Sequence, residues 1–349
     1  MINLNEPNSF KHLDPKNVLG SVEMFPDQCE QIWNDAKDLD FPSEYRDVQN
    51  IVFSGMGGSA LGAHFVLSVF KNQLNLPFYL NSSYELPKFA SEKSLAILST
   101  YSGTTEETLS SADEAFEKGC KITGLTTGGN LLGFFEEKDL LFLRIVPKFN
   151  PSNQPRLGTG YSIMGAIAIL SSLGFLKIED SQVKNSISFI RANQESIKAK
   201  AVEISQKIKN KSPLIIVPDF LNGVAHIIRN QLNENSKTFA SYSCIPELNH
   251  HLMEGLKNPA NNNLVGLFLE SDLSSNKTKQ RTKLTKEIVN KNSIPHYSFE
   301  AEGSDILTQA LYLVSFGGFL TFYLAMLYEI DPSLIPWVDY FKEELSKSS

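Results

Sequence analysis

The chain has little cysteine, only Cys29, Cys120 and Cys244 in 349 residues. An odd, unpatterned set excludes a disulfide framework. It points to free thiols in a reducing compartment, so a cytoplasmic location is expected. The histidines and acids show no zinc-like spacing, so no metal is expected and each thiol reads as a small core residue. Excess positive charge is also lacking. A net charge of -7 argues against nucleic acid or an anionic membrane as the main partner. It leaves room for a small anionic ligand held by local groups. The opening MINLNEPNSFKHLDPKN lacks the basic start and apolar run of a signal peptide. Charge is missing altogether from residues 157–176 and 306–328. A bilayer span needs about 20 apolar residues, but both stretches carry polar residues and glycine throughout. The second is flanked by Asp305, Glu329 and Asp331, with no Lys or Arg close by. Both therefore read as helices buried in a large α/β core, and no membrane partner is expected.

What is present is a regular alternation. Residues 1–44 read as an N-terminal extension, with a helix over Pro26–Leu39 that starts on a proline suited to a first turn. Short apolar strands follow at Ile51–Phe53, Phe78–Leu80, Leu95–Ser99, Cys120–Leu125 and Leu140–Val146, with helices at residues 104–118 and 160–173 between or after them. Strands alternating with helices imply a mainly parallel sheet covered on both faces. The pattern then restarts. A polar helix over 183–208 precedes strands at Leu214–Val217, Leu264–Leu269 and His296–Phe299, with helices at 223–232, 278–289 and from about Asp305. The expected organisation is two α/β units, 45–180 and 181–330, and a C-terminal tail over 331–349.

Both units open with strand, turn and helix, IVFSGMGGSALGAH at 51–64 and IIVPDFLNGVAH at 215–226. The first turn is far richer in glycine, so only there can main-chain N–H groups close on an anion at a helix start. A ligand-free turn is the plain alternative. A dinucleotide site is another, since Gly55-Met56-Gly57-Gly58-Ser59-Ala60 fits G-x-G-x-x-G/A. That reading needs an acid after the next strand, where Asn81-Ser82-Ser83 stands. The stretch Thr100-Tyr101-Ser102-Gly103-Thr104-Thr105 follows a neighbouring strand, so it shares the same sheet edge. Its hydroxyls suit a phosphate monoester, and a single helix cap would use only one of them.

Six motifs occur in order: GMGGSALG, TYSGTTEETL, NQPRLGTGYS, NQLNENSK, PELNHH and DPSLIPWVDYFK. In these the chain resembles the sugar isomerase (SIS) domain family of phosphosugar-binding proteins. More narrowly, it resembles the bifunctional phosphoglucose/phosphomannose isomerases, over about residues 18–345. The resemblance implies two tandem SIS units, each a flavodoxin-like three-layer sandwich. It implies aldose–ketose isomerisation of glucose 6-phosphate and mannose 6-phosphate with fructose 6-phosphate, without a cofactor. Gly57, Gly58, Ser59, Thr100, Ser102 and Thr105 then fall at phosphate-binding positions. Glu234 matches the catalytic base, and Arg156 an arginine beside the enediolate. His250 and Lys342 match the ring-opening residues, and Ser333 stands near a threonine linked to mannose 6-phosphate. A homodimer, with the histidine supplied across the interface, is also implied. The chain departs from the family pattern at Thr100 (usually Ser), Thr104 (commonly Asn) and His251 (commonly Asn).

The residue types suit that chemistry. A carboxylate raised towards neutrality by burial can move a proton between two carbons. Histidine exchanges protons near neutral pH, and arginine stays charged and grips oxygens directionally. On the residues alone Glu234 also reads as a solvated helix end, with Glu247 a rival base. His250 reads equally as a surface histidine and Lys342 as part of a charged tail. Two further functions stay open: a non-catalytic phosphosugar-binding module, and an isomerase for another sugar phosphate.

Overall fold

The computed structural model describes residues 2–4 and 6–347. Strands β1 (Asn50–Gly55), β2 (Phe78–Asn81), β3 (Ser94–Ser99), β4 (Lys121–Thr126) and β5 (Leu143–Arg144) form one sheet in the order β2-β1-β3-β4-β5. Strands β6 (Ser212–Pro218), β7 (Ser241–Ile245), β8 (Leu264–Glu270) and β9 (His296–Glu300) form a second, ordered β7-β6-β8-β9. All pairings are parallel. The fold is therefore the expected pair of helix-flanked α/β units with the same winding, the second lacking a fifth strand. The central strand β3 is buried along its whole length, which is why it reads as an unbroken apolar run. Gly55 pairs with Ser99 across β1 and β3, so the loops that follow leave the same edge side by side.

The helix Ile306–Leu327 lies at the centre, with Asp305 capping it through the Leu307 and Thr308 N–H groups. It packs against Gln194–Ile208, Asn222–Asn235 and Asp180–Ala192, so it is apolar on every face. It is long and apolar enough to cross a membrane, yet 94% of its most apolar window is buried inside the fold. The other uncharged stretch forms the buried helix Thr159–Ser172, packed on Phe25–Asp35 and Leu61–Val69. Helix Leu61–Val69 in turn packs on Asn222–Asn235, joining the two units. At that contact a Cβ on Gly223 would stand 2.0 Å from the His64 carbonyl oxygen, so only glycine allows the approach.

Several expectations need correction. The N-terminal helix runs Phe25–Asp35 and tightens to a 3-10 turn over Ala36–Asp38, and a further helix, Val18–Glu23, precedes it. The polar helix over 183–208 is two helices, Asp180–Ala192 and Gln194–Ile208. They part at Asn193, whose Nδ2 donates to the Phe189 carbonyl at 2.9 Å and competes with the helix ladder. The strand expected at 140–146 shrinks to Leu143–Arg144, an edge with a partner on one side only. Strand β7 and helix Gly129–Glu137 were not anticipated. Cys29 and Cys120 are buried, whereas Cys244 on edge strand β7 is only half-buried.

Candidate active site

The hydroxyl-rich loop after β3 folds on itself. Thr100 Oγ1 lies 2.8 Å from Thr105 Oγ1 and 3.4 Å from Ser102 Oγ, which is 3.1 Å from Thr104 Oγ1. The helix begins at Glu106, two residues later than the sequence suggests. Its N-cap Thr105 makes no side-chain capping bond, so its first-turn N–H groups are not taken by a cap. Glu106 is drawn aside to the Tyr84 hydroxyl, 3.4 Å away. From the neighbouring loop, Ser59 Oγ accepts the Tyr101 N–H at 2.9 Å, leaving its own O–H proton uncommitted. Gly57 takes φ +49° and is exposed. Gly57, Gly58, Ser59, Thr100, Ser102 and Thr105 thus share one sheet edge; Thr100 is buried, its Oγ1 accepting the Gly103 N–H at 3.2 Å, so it backs the loop while the others offer alcohol and amide donors.

Arg156 ties that edge to the second unit. A Cβ on Gly58 would lie 3.3 Å from Arg156 Cα, so the glycine loop backs directly onto the arginine. The guanidinium is buried. Its Nε donates to Asn235 Oδ1 at 3.2 Å, Nη1 to Gln154 Oε1 at 3.0 Å, and Nη2 to the Pro332 and Ser333 carbonyls at 2.9 Å each. Arg has five N–H donors, so these four bonds leave one free on Nη1. Ser333 is buried with its hydroxyl unpartnered, and its N–H is fixed by Asp331 Oδ1 at 2.7 Å.

Glu234 sits one residue before the end of helix Asn222–Asn235. Its carboxylate accepts no hydrogen bond and forms no ion pair among the described residues. Burial pushes its pKa above the ordinary carboxylate value, and the charges of Arg156, Lys237, Arg229 and Lys342 pull it back down. The result is a raised, unbonded acid facing four cations. Burial likewise lowers Arg156 from its usual value, against the charges of Glu234, Asp339 and Asp331. Asp339 and Lys342 belong to the C-terminal helix Pro336–Ser346, so that helix brings charge within electrostatic reach of Arg156 and Glu234. Lys342 is exposed and unpaired among the described residues.

His250 is not brought to this group. It ends a 3-10 turn after β7, exposed, with no bond to Glu234, Arg156 or the hydroxyl loop. Its neighbour His251 is engaged by the rival acid, Nε2 to Glu247 Oε2 at 2.6 Å. His64 and His226 stack at 3.6 Å between ring centroids in the seam of the two units. Burial lowers them to about 4 and about 3. Sequence reasoning passed over Gln154, Asn235 and Lys237, though each lies in a quoted motif. Asn235 is the joint: it accepts from Arg156 and donates to Thr321 Oγ1 at 3.2 Å. A polar residue at a helix end gives no sign of such a long-range bond.

Comparison with known proteins bears on the family and the fold. Residues 197–345 match a family model described as the bacterial phospho-glucose isomerase C-terminal SIS domain. The fold is similar to a hypothetical protein of Thermus thermophilus, at TM-score 0.74 and 18% identity over 97% of this chain and 92% of that one. A bifunctional phosphoglucose/phosphomannose isomerase of Caldicellulosiruptor bescii is 29% identical over 94% of this chain and 98% of its own length. The enzyme of the same name from Aquifex aeolicus is 32% identical over 95% of this chain and 99% of its own length. Identity of that extent, spread across both units, shows that the chain belongs to the bifunctional phosphoglucose/phosphomannose isomerase family.

Proposed function

We propose that the protein is an aldose–ketose isomerase that interconverts glucose 6-phosphate and mannose 6-phosphate with fructose 6-phosphate. The observation that carries this reading is Glu234, a carboxylate with a raised pKa and no hydrogen bond, across Arg156 from a cup of neutral donors. The phosphate is held by Gly57, Gly58, Ser59, Ser102 and Thr105 of the first unit (45–180), with Thr100 backing the loop. This leaves the sugar carbons facing the second unit (181–330) and the tail (331–349). His250 and Lys342 open the ring, one moving a proton at the ring oxygen and the other at the 1-hydroxyl. Glu234 takes the proton from C2 and returns it to C1 while the O2 hydroxyl proton passes to O1, so the C1 carbonyl becomes a C2 carbonyl and the acid ends as it began. The free N–H of Arg156 faces the charge that builds on the enediolate oxygens. Ser333 bears on the choice between the C2 epimers, a role supported by its buried, unpartnered hydroxyl.

The exposed position of His250 favours a homodimer in which a second copy supplies that imidazole. The three free thiols favour a reducing, cytoplasmic setting. A coupled assay from fructose 6-phosphate, following the two aldose phosphates separately, tests the reading, and both are expected to form. Turnover of neither rejects it. Binding of fructose 6-phosphate without turnover would favour a phosphosugar-binding module.

A further inference from the structure

We propose that Lys237 is a positioning residue for this reaction: with Arg156 it clamps the main chain at 331–333 and so holds the C-terminal helix, with Lys342, over Glu234. The inference rests on the isomerase reading above. Helix Asn222–Asn235 gives way at Ser236, and Lys237 follows in the left-handed region at φ +52°. A lysine rarely adopts that conformation, and here it turns the side chain back across the helix end. Its Nζ donates to the carbonyl oxygens of Asn235 (3.2 Å), Asp331 (3.2 Å) and Pro332 (3.3 Å). An ammonium has three N–H donors and no acceptor, so all are committed, and none goes to a carboxylate.

Arg156 completes the clamp from the other side, since its Nη2 meets the Pro332 and Ser333 carbonyls. Pro332 O thus takes bonds from both cations, and three successive carbonyls are pinned. The helix beyond, Pro336–Ser346, buries none of its residues, so packing alone holds it weakly. The charged groups facing Lys237 are Arg156, Asp331 and Glu234. Burial, then the Arg156 charge, brings its ammonium down to about 8. Those facing Glu234 are Arg156, Lys237, Arg229 and Lys342. Lys237 therefore acts on the base twice, through its own charge and through the helix it holds.

The test is Lys237→Asn, because asparagine accepts the left-handed backbone and is too short to reach residues 331 and 332. The expected result is a kcat from fructose 6-phosphate lower by about 10-fold, with KM changed by less than about 3-fold. The acid limb of kcat/KM moves to higher pH, because one cation favouring ionised Glu234 is gone. Amide exchange over 336–346 quickens by about 10-fold, while exchange over 306–327 stays as in the wild type. Lys237→Arg, which keeps the charge and the donors, restores most of the loss. Lys237→Asn with wild-type tail exchange and an unmoved acid limb overturns the proposal. So does a rise in exchange over 306–327 in step with the tail, which would make Lys237 a general structural residue. Exchange needs no turnover, so the clamp stands or falls separately from the isomerase reading, which the wild-type assay decides.

Discussion

The two units wind their sheets in the same order, but the turns after their first strands carry opposite chemistry. After β1 come Gly57, Gly58 and Ser59, with open main chain and an uncommitted hydroxyl. After β6 comes Asp219, whose carboxylate is paired with Lys71. The first turn offers donors that suit an oxyanion, whereas the second presents a carboxylate already paired with a lysine. The second unit contributes a carboxylate at the far end of the helix that follows its turn, at Glu234. One winding thus carries two different turns, and on the proposed reading the first unit grips the ligand while the second acts on it.

The comparison breaks most sharply if the base is elsewhere. Glu234→Gln is expected to lower kcat by about 10²–10⁴-fold with little change in KM, because the phosphate cup is untouched. Retention of full activity would move the base, with Glu247 next in line. A smaller effect sharpens the contrast between the turns. Ser59→Ala removes a hydrogen bond to a charged group, worth about 1.5–3 kcal/mol, and should raise KM about 10–100-fold. Asp219→Asn at the equivalent turn loses only an exposed ion pair and should leave KM within about 2-fold. Steady-state kinetics on the two variants side by side decides this.

The smallest effect concerns stability. Glu234 has a raised pKa in the folded state, so the folded protein binds its proton more tightly than the unfolded chain does. Stability is then lost as pH rises from the ordinary carboxylate value through the folded one. Glu234→Gln, which stays neutral, should melt about 1–2 °C higher than the wild type at neutral pH. The gap should close as pH falls towards the ordinary carboxylate range. Thermal unfolding across that range reads it directly, and a lower Tm at neutral pH would contradict the raised pKa.

Much of the fold is legible in the chain because apolar runs and glycine punctuation are local signals. Buried β3 and the glycine turn at 55–62 are plain examples. Strand β7, SYSCI, mixes polar and apolar residues at an edge and offers no such run. The break at Asn193 depends on one side chain competing with the backbone, which periodicity does not register. The site was legible in pieces. Hydroxyl density marked the loop at 100–105 from composition alone, whereas Glu234 stood out only through the family resemblance. What joins the pieces was hidden, because Arg156 reaches Asn235 and Pro332 across 79 and 176 residues of sequence. Bonds of that span leave no local trace.

The tight seam at Gly223 has one more consequence. Helix Leu61–Val69 starts where the glycine loop ends, and helix Asn222–Asn235 carries Glu234 one residue before its end. With the His64 carbonyl pressed against Gly223, neither rod can slide along the other. On the proposed reading this seam sets the span between phosphate anchor and proton shuttle, so a sugar phosphate one carbon shorter or longer is expected to present the wrong atom to the acid.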